Sequence, residues 1–171
     1  LYEKTGMYID WDQINKLPEI DTFIDIGVGK KGTPIFYDRF PQSKLILIDP
    51  LIEAKIYAET NLGNRNYEFF QCGVGNKSGN EFISVEENIG RSSILKVTEI
   101  NFEGTPLSKR KIEIKTVDQI TRNMKDLGSI GIKIDTEGYE LNVIEGSKET
   151  LKQAKFVIAE VRHNHESFEG Q

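Results

Sequence analysis

Residues 21–32 read DTFIDIGVGKKG, and this stretch decides the fold. An apolar run over residues 22–26 carries Asp25 near its end, and Gly27, Gly29 and Gly32 follow. A short apolar run bounded by glycines reads as a buried strand. Glycines let the backbone turn tightly and approach a ligand without side-chain interference. Thr33 then suits an N-cap, and Pro34 suits a first helical turn, where a missing N–H costs nothing. The helix runs through Ile35, Phe36 and Phe40 and stops before Pro41. The unit is strand, glycine loop, helix, and amides at such a helix start face a bound ligand.

Outward from this unit the alternation continues. Apolar runs at residues 44–48, 67–71, 130–134 and 156–161 read as further strands. Residues 53–62, 117–127 and 141–152 read as helices, the last with apolar spacing at Leu141, Ile144 and Leu151. Strands alternating with helices specify an α/β fold with a mostly parallel central sheet and helices on both faces. Residues 81–85 and 111–116 alternate like edge strands or hairpin arms. Residues 86–110 are polar and irregular, a long loop with a short strand near residues 92–97. Loops this long inside a domain are often lids or binding loops. The 171 residues suit one domain, with a core over 21–161 and an N-terminal extension over 1–20.

Composition narrows the function classes. With 37% hydrophobic and 29% charged residues the chain reads as globular, and no apolar run approaches the length of a membrane span. A net charge of −5 argues against a nucleic-acid partner, which usually needs a basic face. The only cysteine, Cys72, excludes an internal disulfide and fits a reducing, cytoplasmic setting. The first residues do not form a signal peptide, and no initiator Met is present. Oligomeric state is open.

Asp49 strengthens the glycine loop. It ends the second strand, 20 residues beyond Gly29, where a carboxylate can accept hydrogen bonds from both ribose hydroxyls. Together they point to an adenosine-type cofactor, against the plain alternative of an ordinary α/β turn with a surface aspartate. NAD and S-adenosylmethionine share this ribose logic. Asp25 beside the glycines suits an ammonium group or ordered water better than a diphosphate, because like charges repel. Lys30 and Lys31 cut the other way, so the loop alone does not choose.

The second half chooses. IGIKIDTEGYELNVIEGSKETL, residues 130–151, supplies Lys133, Asp135, Glu137, Gly138, Glu140 and the Gly146-Ser147 pair. With DIGVGKKGTP, FPQSKLILIDP, GVGNKSG and GRSSIL, it resembles the FkbM-type methyltransferase family over residues 21–161. The resemblance implies a Rossmann-like class I methyltransferase fold with S-adenosylmethionine as methyl donor. The acceptor it implies is a hydroxyl of a sugar, glycan or natural product. The loop departs from it, reading Gly-Val-Gly-Lys-Lys-Gly where many members carry Gly-Ala-Asn. The class I fold also ends with two further strands that this sequence lacks, which implies a truncated or partly ordered chain.

An O-methyltransferase needs its acceptor held in line with the methyl group and gains from a general base. Candidate bases lie at the C-terminal ends of the strands. Asp135 is the first candidate, and the alternative is that it caps the following helix. Glu137 shares its turn, and Glu140 complements the helix dipole. His163 is a further candidate, because histidine is the side-chain type that titrates nearest neutral pH, though a solvent-exposed tail is an equal reading. Lys133 lies in a buried strand and needs an acidic partner, Asp135 or Glu160. No metal site is expected. Asp25, Gly27, Gly29 and Asp49 are the expected cofactor contacts, with Cys72 and Gly73 near adenine by fold analogy. The rival readings are an NAD-dependent sugar-modifying oxidoreductase, whose Tyr-x-x-x-Lys spacing is absent here, and a noncatalytic cofactor-binding module.

Overall fold

The computed structural model of the chain describes residues 11–86, 92–95 and 108–160. Its centre is a five-stranded parallel sheet in the order β3-β2-β1-β7-β8. The strands are β1 (Thr22–Ile26), β2 (Lys44–Ile48), β3 (Tyr67–Phe70), β7 (Ile130–Ile134) and β8 (Ala154–Ala159). Every residue of β1 and β7 is buried. This is why their sequences read as continuous apolar runs rather than alternating ones.

Side chains still alternate between two cores. Phe23, Leu45 and Leu47 face one side, where α1 (Trp11–Asn15), α2 (Pro34–Arg39) and α3 (Ile52–Asn61) pack. Ile24, Ile26, Ile46, Ile48, Ile132 and Ile134 face the other. There they meet Val117 and Ile120 of α4 (Val117–Arg122) and Val143 of α5 (Glu140–Glu145). The first core is aromatic: the Phe23 ring stacks 5.2 Å from Phe36 and 6.0 Å from Phe40. It reaches back past residue 21 to the buried Ile14 and Ile20, so the N-terminal extension contributes to packing.

Residues 81–85 and 111–116, read as edge strands or hairpin arms, belong to a second, three-stranded sheet that the sequence did not separate from the first. It runs β4 (Gly73–Val74), β6 (Ser108–Lys115), β5 (Gly79–Val85), with β5 and β6 antiparallel. Its inner face forms a third core of Leu51, Ile83, Val85, Ile112 and Ile114. A bidentate pair, Arg110 to Glu53 at 2.8 Å on both arms, ties β6 to α3. β6 thus begins at Ser108, inside the expected loop. Of the expected short strand near 92–97, residues 92–95 are described, and there Ser93 N–H and C=O pair with those of Ser84 at 3.2 and 2.9 Å.

Two helices are shorter than their patterns suggest. α4 ends at Arg122, and its Thr116 and Gln119 form a reciprocal capping box. The expected helix over 141–152 is broken at Gly146 into α5 and α6 (Lys148–Leu151). A Cβ on Gly146 would fall 2.0 Å from the Gly75 carbonyl oxygen, so the backbones approach too closely for any side chain. Within α5 it is Val143 that packs inward, while Leu141 is 69% exposed and Ile144 36%. Among the described residues no helix is long and apolar enough to cross a membrane.

Candidate functional site

The carboxyl ends of β1, β2, β7 and β8 converge. The chain leaves β1 at Gly27, whose φ of +82° is left-handed, and its N–H donates to Ile48 O at 2.9 Å. A Cβ there would sit 1.7 Å from the Asp135 carbonyl oxygen. The glycine loop thus lies directly on the backbone that follows β7. Two residues on, nothing lies within 4 Å of where a Gly29 Cβ would be, so the bend is open on that side.

The expected pairing of loop and acid is present. Gly29 N–H donates to Asp49 Oδ2 at 2.9 Å, and Leu51 N–H donates to Asp49 Oδ1 at 2.8 Å. Each carboxylate oxygen keeps further acceptor capacity for a ligand's donors. Asp49 is 5% exposed, and burial pushes its carboxyl up to about 6 against the opposing pull of the two N–H groups.

Asp25, expected at the ligand, is instead sealed beneath the loop with no exposure. In β1 it alternates with Ile24 and Ile26 and so faces α2. Its Oδ2 accepts from the Tyr37 hydroxyl at 2.5 Å and from the Thr33 hydroxyl at 3.1 Å. Thr33 therefore anchors the strand below it, and its side chain makes no cap bond to α2. Burial first, then the Asp25 charge, hold the Tyr37 phenol well above its usual pKa, which keeps it a donor. The ammonium near Asp25 is the chain's own: Lys133 Nζ lies 3.3 Å from Oδ1. That oxygen has no aligned hydrogen bond, so the contact is an ion pair.

Lys133 also meets Asp135 Oδ2 at 3.2 Å and donates to Gly27 O at 2.8 Å. Burial alone pulls its ammonium down, but Asp25 and Asp135 outweigh it and hold the pKa above the ordinary lysine value. The expected Lys133–Asp135 pair is thus part of a larger cluster.

Asp135 does not cap a helix. α5 begins only at Glu140, behind an N-cap, Tyr139, without a side-chain bond. Between them the chain makes a tight turn with left-handed φ at Glu137 (+53°) and Gly138 (+100°). Glu140, expected to serve the helix dipole, builds that turn: its Oε1 accepts from Thr136 N–H at 2.8 Å, the Thr136 hydroxyl at 3.0 Å and Gly138 N–H at 3.1 Å. The Ser93 hydroxyl donates to the Glu137 carbonyl at 2.7 Å. Carboxylate oxygens of Asp135, Glu137 and Glu160 lie within 4.8 Å of one another. That spacing can hold a divalent cation, although Asp135 already shares the Lys133 ammonium with Asp25.

The profile of the methyltransferase FkbM domain matches residues 25–171. The chain belongs to the FkbM methyltransferase family. A solved methyltransferase FkbM from Methylobacillus flagellatus KT is 17% identical, with a TM-score of 0.47 over 88% of this chain. The chain spans 33% of that protein's length. No curated protein matches the chain.

Within this FkbM domain the remaining predicted residues sit as follows. Cys72 packs into the isoleucine core, where burial raises its thiol to about 11, so it is an inert apolar filler. Gly73 lies in β4 beneath Ile114, whose Cδ1 would be 2.6 Å from an added Cβ. His163 lies outside the described residues. Tyr37, Ser93 and the full role of Glu140 were missed in the sequence. Tyr37 had a usable signal: a tyrosine on the buried face of α2 needs an acceptor, and a buried Asp25 needs donors.

Proposed function

We propose that this FkbM domain is an S-adenosylmethionine-dependent O-methyltransferase. The observation that carries the reading is the contact of two sites. The Gly29–Asp49 bend suits an adenosyl ligand, and the same loop, through Gly27, rests on Asp135. The residues fit such a ligand: Asp49 offers lone pairs to two ribose hydroxyls, and the space at Gly29 is open. S-adenosylmethionine bound there would supply an electrophilic methyl group whose carbon–sulfur bond breaks with its electron pair leaving on sulfur.

The chain's own residues supply position and a proton acceptor. Asp135 accepts the proton of the acceptor hydroxyl as that oxygen bonds to the methyl carbon. Glu137 and Glu160 keep the acceptor side polar and acidic, which suits a hydroxyl-rich sugar, glycan or natural product. Lys133 and Asp25 are fixed beneath and do not reach the acceptor.

Calorimetric titration with S-adenosylmethionine, S-adenosylhomocysteine and NAD tests the cofactor. Binding of both adenosyl compounds, lost in Asp49→Ala, is expected, and preferential NAD binding would replace this reading with an oxidoreductase. Transfer of labelled methyl to a panel of sugars and hydroxylated natural products tests the reaction. Cofactor binding without any transfer across the panel would favour a noncatalytic module.

A further inference from the structure

We infer that Lys133 is a positioning residue that locks the cofactor loop and Asp135 into one rigid unit and thereby aims Asp135. The inference rests on the methyl-transfer reading above. An ammonium has three N–H donors in fixed tetrahedral directions and no acceptor. Lys133 has three oxygens around it, each from a different part of the chain: Asp25 in β1, Gly27 in the loop, and Asp135 after β7.

The cluster is anchored from below. Asp25 and Lys133 are register partners on adjacent parallel strands, so their side chains share a face. Asp25 is further pinned to α2 by Tyr37 and Thr33. The Lys133 side chain is 5% exposed and Asp25 wholly enclosed, whereas Asp135 is 21% exposed. The ion-paired chain therefore runs from a sealed interior to a half-open carboxylate. One Asp135 oxygen takes the tether, and the side chain's exposed part is left toward the ligand side. Lys133 touches neither ligand. It acts through Gly27 and Asp135, and an apolar side chain at 133 would leave Asp135 free to rotate.

An acceptor-independent probe tests this. Sinefungin carries an amine-bearing carbon where S-adenosylmethionine carries its methylsulfonium, so its ammonium reports a carboxylate aimed at the methyl position. The native chain is expected to bind sinefungin about tenfold or more tighter than S-adenosylhomocysteine, the scale of a hydrogen bond to a charged group. Asp135→Asn should erase that preference. The charge-balanced double variant Asp25→Asn with Lys133→Met should keep S-adenosylhomocysteine affinity within about threefold and lose most of the preference.

An unchanged preference in the double variant overturns the inference, as does equal binding of the two compounds by the native chain. Parallel loss of both affinities in a folded double variant also overturns it, because Lys133 would then serve the loop alone. Should the double variant not fold, Lys133→Arg keeps the buried charge on a different geometry, and the same fall in preference is expected, with no fall counting against. If neither compound binds the native chain, the cofactor assignment itself fails, which is a separate result.

Discussion

The bend at Gly27–Asp49 and the turn at Asp135–Glu140 touch, yet they are held in different ways. At the bend, backbone N–H groups of Gly29 and Leu51 fix the acid, and close packing fixes Gly27. At the turn, side chains do the holding: Glu140 gathers its donors, Ser93 takes the Glu137 carbonyl, and Lys133 tethers Asp135. Glu137 holds a left-handed φ that costs a non-glycine residue about 1 kcal/mol, and these side chains hold it there. The bend is set by main chain and changes only at the cost of the fold. The turn is set by replaceable groups and can be retuned.

Four substitutions probe that contrast. Gly27→Ala should have the largest effect, about 3 kcal/mol or more of lost stability, since the methyl group collides with the Asp135 backbone and the φ is left-handed. A urea midpoint within experimental error of the native one would remove the rigid contact between the two regions.

Asp49 gives a pH-dependent effect. Its folded pKa of about 6 lies above the ordinary aspartate value, so between these the folded state binds more protons than the unfolded. Stability contributed by this group is therefore present at low pH and lost as pH rises from about 4 to about 6, on the order of 2–3 kcal/mol. Asp49→Asn should flatten that part of the stability curve without ligand, read as melting temperature against pH, and parallel curves would show that the acid is not buried as described.

Tyr37→Phe removes one donor from the enclosed Asp25 and should cost about 1–3 kcal/mol in chemical denaturation. Glu140→Gln should be the mildest, about 1 kcal/mol, because the turn is half-exposed and the amide oxygen still accepts. If the contrast is right, Glu140→Gln leaves S-adenosylhomocysteine affinity unchanged in calorimetry while slowing methyl transfer. A weakened cofactor with normal transfer would reverse the roles of bend and turn.

The sequence shows the bend more clearly than the turn, for physical reasons. Strands buried on both faces announce themselves as apolar runs, and strand ends of a parallel sheet bring Gly29 and Asp49 together from a fixed spacing. Asp25 was misplaced because its neighbours along the chain do not reveal its face. Only the period-two alternation against Phe23, read together with the hydroxyl on α2, does so. Of the second sheet the alternating arms at 81–85 and 111–116 were legible, but β4, two residues long, and the charged opening of β6 at Lys109-Arg110 were not. Leu141 and Ile144 fit a helical stripe with Leu151, but Gly146 puts Leu151 on a separate helix, and it is Leu151 that packs against the core. The acids of the Asp135 turn were found, while their organisation by Glu140 and Ser93 depends on contacts across 4 and 44 positions that no local pattern encodes.

Ser93 has one more effect. By bonding Ser84 with its main chain and Glu137 with its hydroxyl, it staples the connection between β5 and β6 partway along. Ser84 lies in the second sheet and Glu137 follows the central one, so this single residue couples the two. Removing the hydroxyl alone would cut the tie to Glu137 and leave the main-chain bridge to Ser84 in place. The left-handed Glu137 thereby draws support from outside the central sheet.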